Sequence, residues 1–290
     1  MRRPIPIPFS ILLTLPFVAC VDASPPAGEP DADAAYAESM AGEHAADSPE
    51  AGAAADATQA AAVEGEEVVY AELDGTPVTG YLARAEGSAA ILVIQEWWGL
   101  NDNIRTMARE LAAEGYTALA VDLYEGQVAA DRDEALALVT SSLERPDRLS
   151  ENLRQAHRYL TEELGMERVG VIGWCFGGGW SLATALMLGD GIDAAVMYYG
   201  RVETDPEALA PLTAPVLGHF GGEDDSIPIE EVRAFEAAAV EAGKDVTAHL
   251  YDGAGHAFAN PSGSSWEPAA ARTAWERTLA FFDRHLRGAS

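Results

Sequence analysis

From residue 66 onward the spacing of apolar positions changes repeatedly, and each change marks an element. Residues 66–73 and 78–83 flank the turn sequence Asp74-Gly75-Thr76-Pro77 and predict a hairpin. The apolar run 90–94 predicts a buried strand. A helix over 103–114 follows, with Ile104, Met107, Ala108 and Leu111 on one face and Gly115 at its end. Beyond it the pattern predicts a strand at 117–123, helices near 132–143 and 149–164, a strand at 168–174 and a helix near 178–188. Strands at 192–199 and 215–220, a helix at 229–242, a strand at 246–251 and a closing helix around 268–286 complete the series. Strands that alternate with helices are joined by right-handed crossovers, so residues 66–290 are expected to form a three-layer α/β domain around a mostly parallel sheet.

The amino-terminal part reads differently. Residues 1–20 place Arg2 and Arg3 before an apolar stretch, 11–19, that ends at Cys20, the layout of an export signal too short to span a membrane. The sequence Phe17-Val18-Ala19-Cys20 resembles a bacterial lipobox, with phenylalanine where leucine is usual. Cys20 is therefore the expected lipidation site, with simple cleavage and secretion as the alternative, and the protein is expected in the cell envelope or periplasm. Residues 21–65 are rich in Ala, Asp, Glu, Pro and Gly and contain no Lys or Arg. Such a segment buries little against its chain entropy, so it is expected to be a disordered acidic tether holding the domain at a membrane surface.

Charge narrows the partners. The 290-residue chain carries 47 Asp and Glu against 18 Lys and Arg, a net charge of −29, which leaves no electrostatic footprint for nucleic acid. Its two cysteines are Cys20 and Cys175. If the first is acylated, the second is a lone thiol in a compartment that oxidises thiols, which argues that it is kept for its reactivity.

Cys175 lies in Gly173-Trp174-Cys175-Phe176-Gly177, after a predicted strand and before a predicted helix. Glycines on both sides permit the sharp turn that exposes a nucleophile at a strand-to-helix corner. In an open parallel sheet the site lies at the carboxyl ends of the strands, and Glu96, Asp224 and His256 also fall just after strands. An imidazole that takes the thiol proton and a carboxylate that orients the imidazole would make Cys175 a strong nucleophile. His256 sits in the glycine-containing run Asp252-Gly253-Ala254-Gly255-His256, and the acid is Asp224 or Asp225, which spacing alone does not separate.

These segments resemble the dienelactone hydrolase family, thiol members of the α/β-hydrolase fold, over nearly all of residues 66–290. Gln95-Glu96-Trp97-Trp98-Gly99-Leu100-Asn101, the cysteine elbow, Gly221 with Asp224 and Pro228, and Ala254-Gly255-His256-Ala257-Phe258 match its four motifs in order. The resemblance implies a Cys175–His256–Asp224 triad, Glu96 as a regulator of the thiol, and an oxyanion hole from the backbone N–H groups of Trp97 and Phe176. Trp98, Tyr124, Tyr199 and Phe258, with Trp97, are candidates for an apolar pocket, with core packing an equal alternative. The family's two carboxylate-binding arginines correspond here to Gly126 and Asn260, so neutral esters or lactones are expected rather than dienelactone; Arg105 or Arg201 could compensate.

The expected function is hydrolysis of small ester or lactone substrates through an acyl-cysteine, by a monomer needing no cofactor and no metal. Acyl transfer or thioester hydrolysis on the same triad, or an inactive surface-anchored binding protein, are the alternatives.

Overall fold

The computed structural model describes residues 30–44, 47 and 62–288. The expected signal, the lipobox cysteine Cys20 and most of the expected tether lie outside them.

The hairpin forms from β1 (Gly65–Leu73) and β2 (Thr76–Ala83), turning at Asp74 and Gly75, both with positive φ. β1 carries an irregularity between Val69 and Ala71. β3 (Ala89–Ile94) leads to α2 (Asp102–Ala113), which Asn101 caps by accepting the Ile104 N–H at 3.2 Å. Next come β4 (Thr117–Val121), α3 (Arg132–Leu143), α4 (Pro146–Arg158) and β5 (Arg168–Trp174). α5 (Phe176–Leu188), β6 (Ala194–Tyr198), the single turn α6 (Pro206–Leu209) and β7 (Val216–Gly221) follow. α7 (Ile229–Glu241), β8 (Val246–Tyr251) and α8 (Pro268–Phe282) close the domain.

Two helices differ from the pattern. α4 begins three residues before the expected 149, because Pro146 pre-sets the first helical turn, and its end widens into a π turn at Tyr159–Glu163. The carboxyl-terminal helix widens in the same way at Asp283–Gly288.

The eight strands run in the order β1-β2-β4-β3-β5-β6-β7-β8. β2 pairs antiparallel with β1 and β4, and all other pairs are parallel. This is a three-layer α/β-hydrolase fold. The central strands are covered on both faces: every residue of β4, β6 and β7 is buried. The chain goes from β3 out to β4 and then crosses back to β5, so the order reverses between β3 and β5. That switch point opens a crevice at the strand ends, and Glu96 and Cys175 follow its two strands.

One expectation is overturned. Within the stretch read as a disordered tether, Pro30–Glu43 forms a helix, α1, which packs against α3. Alanine-rich sequence has high intrinsic helix propensity. Ala37, Met40, Ala41 and His44, three or four residues apart, form one buried face. Among the described residues no helix is long and apolar enough to cross a membrane.

Candidate active site

Cys175 is the last residue before α5, with φ 55° and ψ −118°. A non-glycine residue in that region is strained, and the strain is held by packing on both sides. A Cβ on Gly173 would lie 2.0 Å from the Gly177 carbonyl oxygen, and one on Gly177 would lie 2.4 Å from that of Gln95. The glycines thus let α5 press against the ends of β3 and β5. The Cys175 N–H donates to the Tyr198 carbonyl at 3.0 Å, which fixes the elbow to β6. Phe176, the first residue of α5, carries one of the N–H groups that a helix leaves without an internal acceptor.

The acid and the histidine follow the ends of β7 and β8. His256 Nδ1 lies 2.9 Å from Asp224 Oδ2. The other Asp224 oxygen accepts the N–H groups of Ser226 and Ile227 at 2.9 and 2.8 Å. Asp225 is exposed. The two loops are clasped together, since a Cβ on Gly221 would lie 2.4 Å from the Ala254 carbonyl oxygen and Glu223 N–H donates to that same oxygen. His256 Nε2 is buried and has no hydrogen-bond partner among the described residues. A ring nitrogen of His256 and the Cys175 sulfur lie within 4.8 Å of each other.

The charges agree with this geometry. Burial opposes ionisation of the Cys175 thiol, but the nearby charge of His256, and then the contact and charge of His44, outweigh it and bring its pKa down to about 6. Burial likewise opposes charge on His256, but Asp224 and Cys175 raise its pKa well above the usual histidine value. The pair therefore favours thiolate and imidazolium. Glu96 goes the other way: burial first, and then the charge of Cys175, raise its carboxyl to about 8. Its Oε2 accepts from Asn260 Nδ2 at 2.8 Å, so its hydrogen bond runs to Asn260 rather than to the thiol.

Sequence reasoning missed the roof of the site. α1 lays Met40 Sδ 3.3 Å and His44 Nε2 3.7 Å from Cys175 Sγ. His44 stacks on the Trp97 ring at 4.7 Å and meets His256 edge-on at 5.3 Å. Its Nδ1 lies 2.6 Å from Asp47 Oδ2, and Asp47 Oδ1 accepts the N–H and hydroxyl of Ser264 at 2.6 and 2.8 Å. Burial disfavours a charged His44, but the bonds to Asp47 and Cys175 raise its pKa to about 9. The available signal was Tyr36, Met40 and His44, the large side chains of an alanine-rich run, recurring every four residues. Beneath this roof Cys175, His256, Asp224 and Glu96 are all buried.

The aromatic candidates divide. Trp97 and Trp98 pack on each other and face His44, and Tyr199 meets His256 at 5.1 Å. Tyr124 packs on Phe176, whereas Phe258 lies among Tyr198, Tyr199 and Tyr251, where it serves the core. Gly126 donates its N–H to Asp122, and Asn260 is engaged by Glu96. Arg105 is held by Glu67 and the Leu100 carbonyl, and Arg201 lies over the Tyr36 ring.

A family model described as the dienelactone hydrolase family matches residues 78–286. A protein of Saccharolobus solfataricus named "Putative carboxymethylenebutenolidase" is 31% identical over 259 residues, covering 76% of this chain and 98% of its own. A Bradyrhizobium protein named "Probable 2-oxo-3-(5-oxofuran-2-ylidene)propanoate lactonase" is 30% identical, covering 74% of this chain and 92% of its own. The crystal structure of a dienelactone hydrolase from Anabaena variabilis superposes with a TM-score of 0.60 at 22% identity, covering 78% of this chain and 99% of that one, a likeness of fold.

Proposed function

The chain belongs to the dienelactone hydrolase family and hydrolyses ester or lactone bonds, and we propose that it does so through Cys175, on neutral substrates. The observation that carries this reading is the Asp224–His256 pair at 2.9 Å, with the unpartnered Nε2 of His256 beside a thiol held at a strained elbow. His256 Nε2 takes the thiol proton, and the thiolate adds to the substrate carbonyl carbon. The oxygen that becomes negative is met by the N–H groups of Phe176 and Trp97. Collapse expels the alkoxide, which takes the proton from His256 and leaves as an alcohol, or as the tethered hydroxyl of an opened lactone. Water, giving its proton to His256, then adds to the acyl-thioester, and the thiolate leaves as the acid forms. Asp224 holds His256 in the required tautomer throughout.

Glu96, neutral at pH 7 and held by Asn260, keeps a second negative charge away from the thiolate, which supports its reading as a regulator of Cys175. Asn260 is an amide and Gly126 has no side chain, so a substrate carboxylate meets no bidentate cation at either place. Met40 and His44 lie over the sulfur, so substrate binding requires α1 to move aside. Neutral p-nitrophenyl esters and small lactones should turn over with the wild type and fail with Cys175→Ala, while a lactone bearing a carboxylate should be at least tenfold poorer in kcat/KM. Equal turnover by Cys175→Ala would remove the thiol from the mechanism.

The export layout of residues 1–20 supports a lipid-anchored protein of the cell envelope, with acyl chains on Cys20. Mass spectrometry of the mature amino terminus reads this directly; an unmodified chain starting elsewhere would contradict it.

A further inference from the structure

The catalytic cycle needs one imidazole at Cys175, and the structure provides two. His44 and His256 approach the sulfur from different parts of the chain, the turn that ends α1 and the loop after β8, and are built alike. Each has its Nδ1 bonded to a buried or half-buried carboxylate, Asp47 at 2.6 Å and Asp224 at 2.9 Å. Each carboxylate is in turn fixed by N–H or hydroxyl donors, from Ser264 on one side and from Ser226 and Ile227 on the other. A carboxylate on Nδ1 sets the tautomer whose Nε2 lone pair points away from it, the arrangement found behind histidines that bind metals. Here both Nε2 atoms are left for the sulfur: that of His44 is 3.7 Å from it, and that of His256 is buried and has no other partner.

One ligand atom from each of His44, Cys175 and His256 lies within 4.8 Å of the other two. Tetrahedral zinc, with bonds of about 2.0–2.1 Å to nitrogen and about 2.3 Å to sulfur, sets its ligand atoms about 3.4–3.6 Å apart. Shifts of about 1 Å or less bring these three atoms to that spacing. Two imidazoles and one thiolate are ligands that zinc accepts with the fourth position left open, and Met40 Sδ, 3.3 Å from the sulfur, walls the cluster.

We propose that His44, Cys175 and His256 form a Zn²⁺ site that pins α1 over the nucleophile and holds the hydrolase inactive. Binding exchanges protons for the metal: His44 and His256 each release the H⁺ on Nε2, the Cys175 thiolate and the two neutral imidazoles coordinate Zn²⁺, and no electron is transferred. A chelator reverses the step. The site is inhibitory, so hydrolysis itself runs without metal. Metal binding goes beyond the hydrolytic reading and does not depend on which residue is the nucleophile, whereas its inhibitory effect rests on Cys175 being that residue.

The test uses the full chain stripped with chelator and titrated with Co²⁺ as a spectroscopic stand-in, then with Zn²⁺ in competition. Wild type should bind one equivalent of Co²⁺ with tetrahedral visible bands and a near-ultraviolet thiolate-to-cobalt band, both lost on adding Zn²⁺. Cys175→Ser should lose the near-ultraviolet band. His44→Ala should bind at least tenfold more weakly, and Asp47→Asn, which leaves all three ligands in place, roughly tenfold more weakly. Zinc should inhibit wild-type ester hydrolysis, with recovery on chelation. Absence of the thiolate band at stoichiometric Co²⁺, or equal affinity in wild type, His44→Ala and Asp47→Asn, would overturn the site. Metal-free wild type that binds Co²⁺ in this way but hydrolyses no ester or lactone would instead count against the hydrolytic reading alone.

Discussion

The floor and the roof of the active site are made in different ways. The floor is backbone: four strand ends, an elbow with positive φ, and glycines whose replacement would drive a Cβ into neighbouring main chain. The roof is side chain: Tyr36, Met40, His44 and Asp47, reaching from α1 and the turn after it onto Trp97, Cys175 and Ser264. A floor of this kind resists displacement, because its parts press main chain against main chain at the strand ends. Lifting the roof exposes its buried face but breaks no strand pairing, so it leaves the domain folded, which is what a buried nucleophile requires of its cover.

The sharpest break to the floor is chemical. Cys175→Ala should lower kcat/KM for a neutral ester by at least about 10³-fold, since removing a nucleophile also idles the residues that act with it; steady-state kinetics on matched folded samples reads this. The next break is steric. Gly177→Ala places a Cβ 2.4 Å from the Gln95 carbonyl oxygen and 2.5 Å from that of Ile94, so urea denaturation should show a loss of about 1–3 kcal/mol or more. A wild-type midpoint would mean that α5 is not clamped as described.

The roof should respond more gently. Asp47→Ala removes the anchor to Ser264 and His44, whose hydrogen bonds contribute about 1 kcal/mol each. Alkylation of Cys175 by iodoacetamide at pH 9 should then quicken roughly tenfold with the melting temperature of the α/β domain little changed. An unchanged rate would show that the roof is as fixed as the floor.

The smallest effect lies beneath the floor, at His219 on β7. Its ring is bonded to the Tyr251 hydroxyl at 2.9 Å and to Thr278 Oγ1 at 3.1 Å. Burial, then the positive charges of His249 and Arg277, hold its pKa well below the usual histidine value of 6.5. The folded protein keeps this ring neutral while the unfolded chain protonates it. Its contribution is therefore complete above about pH 6.5 and falls as the pH drops below that, by about 0.7 kcal/mol between pH 7 and 6. His219→Gln should remove that increment from the difference in unfolding free energy between the two pH values; identical slopes in wild type and variant would contradict it.

The same contrast explains what the sequence disclosed. Elbow and acid loop are legible because Gly173, Gly177 and Gly221 mark places where a Cβ would meet main chain, the histidine loop because Gly253 takes a positive φ, and all three because the strand ends they follow are apolar runs. Asp224 is separated from Asp225 by its burial and its bond to His256, after motif matching had singled it out. α1 is not legible in the same way. Its buried face is mostly alanine, and alanine also fills its exposed face, so little periodicity separates a packed helix from a solvated acidic run. What His44 and Met40 do depends on a contact spanning more than 130 residues of sequence. The partner of Glu96 was hidden for a similar reason: Asn260 registers in the sequence as a missing arginine, and only the fold shows its amide on the carboxyl.

The central claim is that Cys175 carries the acyl group. Rapid acid quench of the full-length protein during turnover of p-nitrophenyl acetate, followed by digestion and mass spectrometry, reads that bond directly. The account predicts one acetyl group on the peptide containing Cys175, formed as fast as the first turnover and absent from Cys175→Ala. An acetyl group on another side chain, or a first-turnover burst with that peptide unmodified, would contradict it.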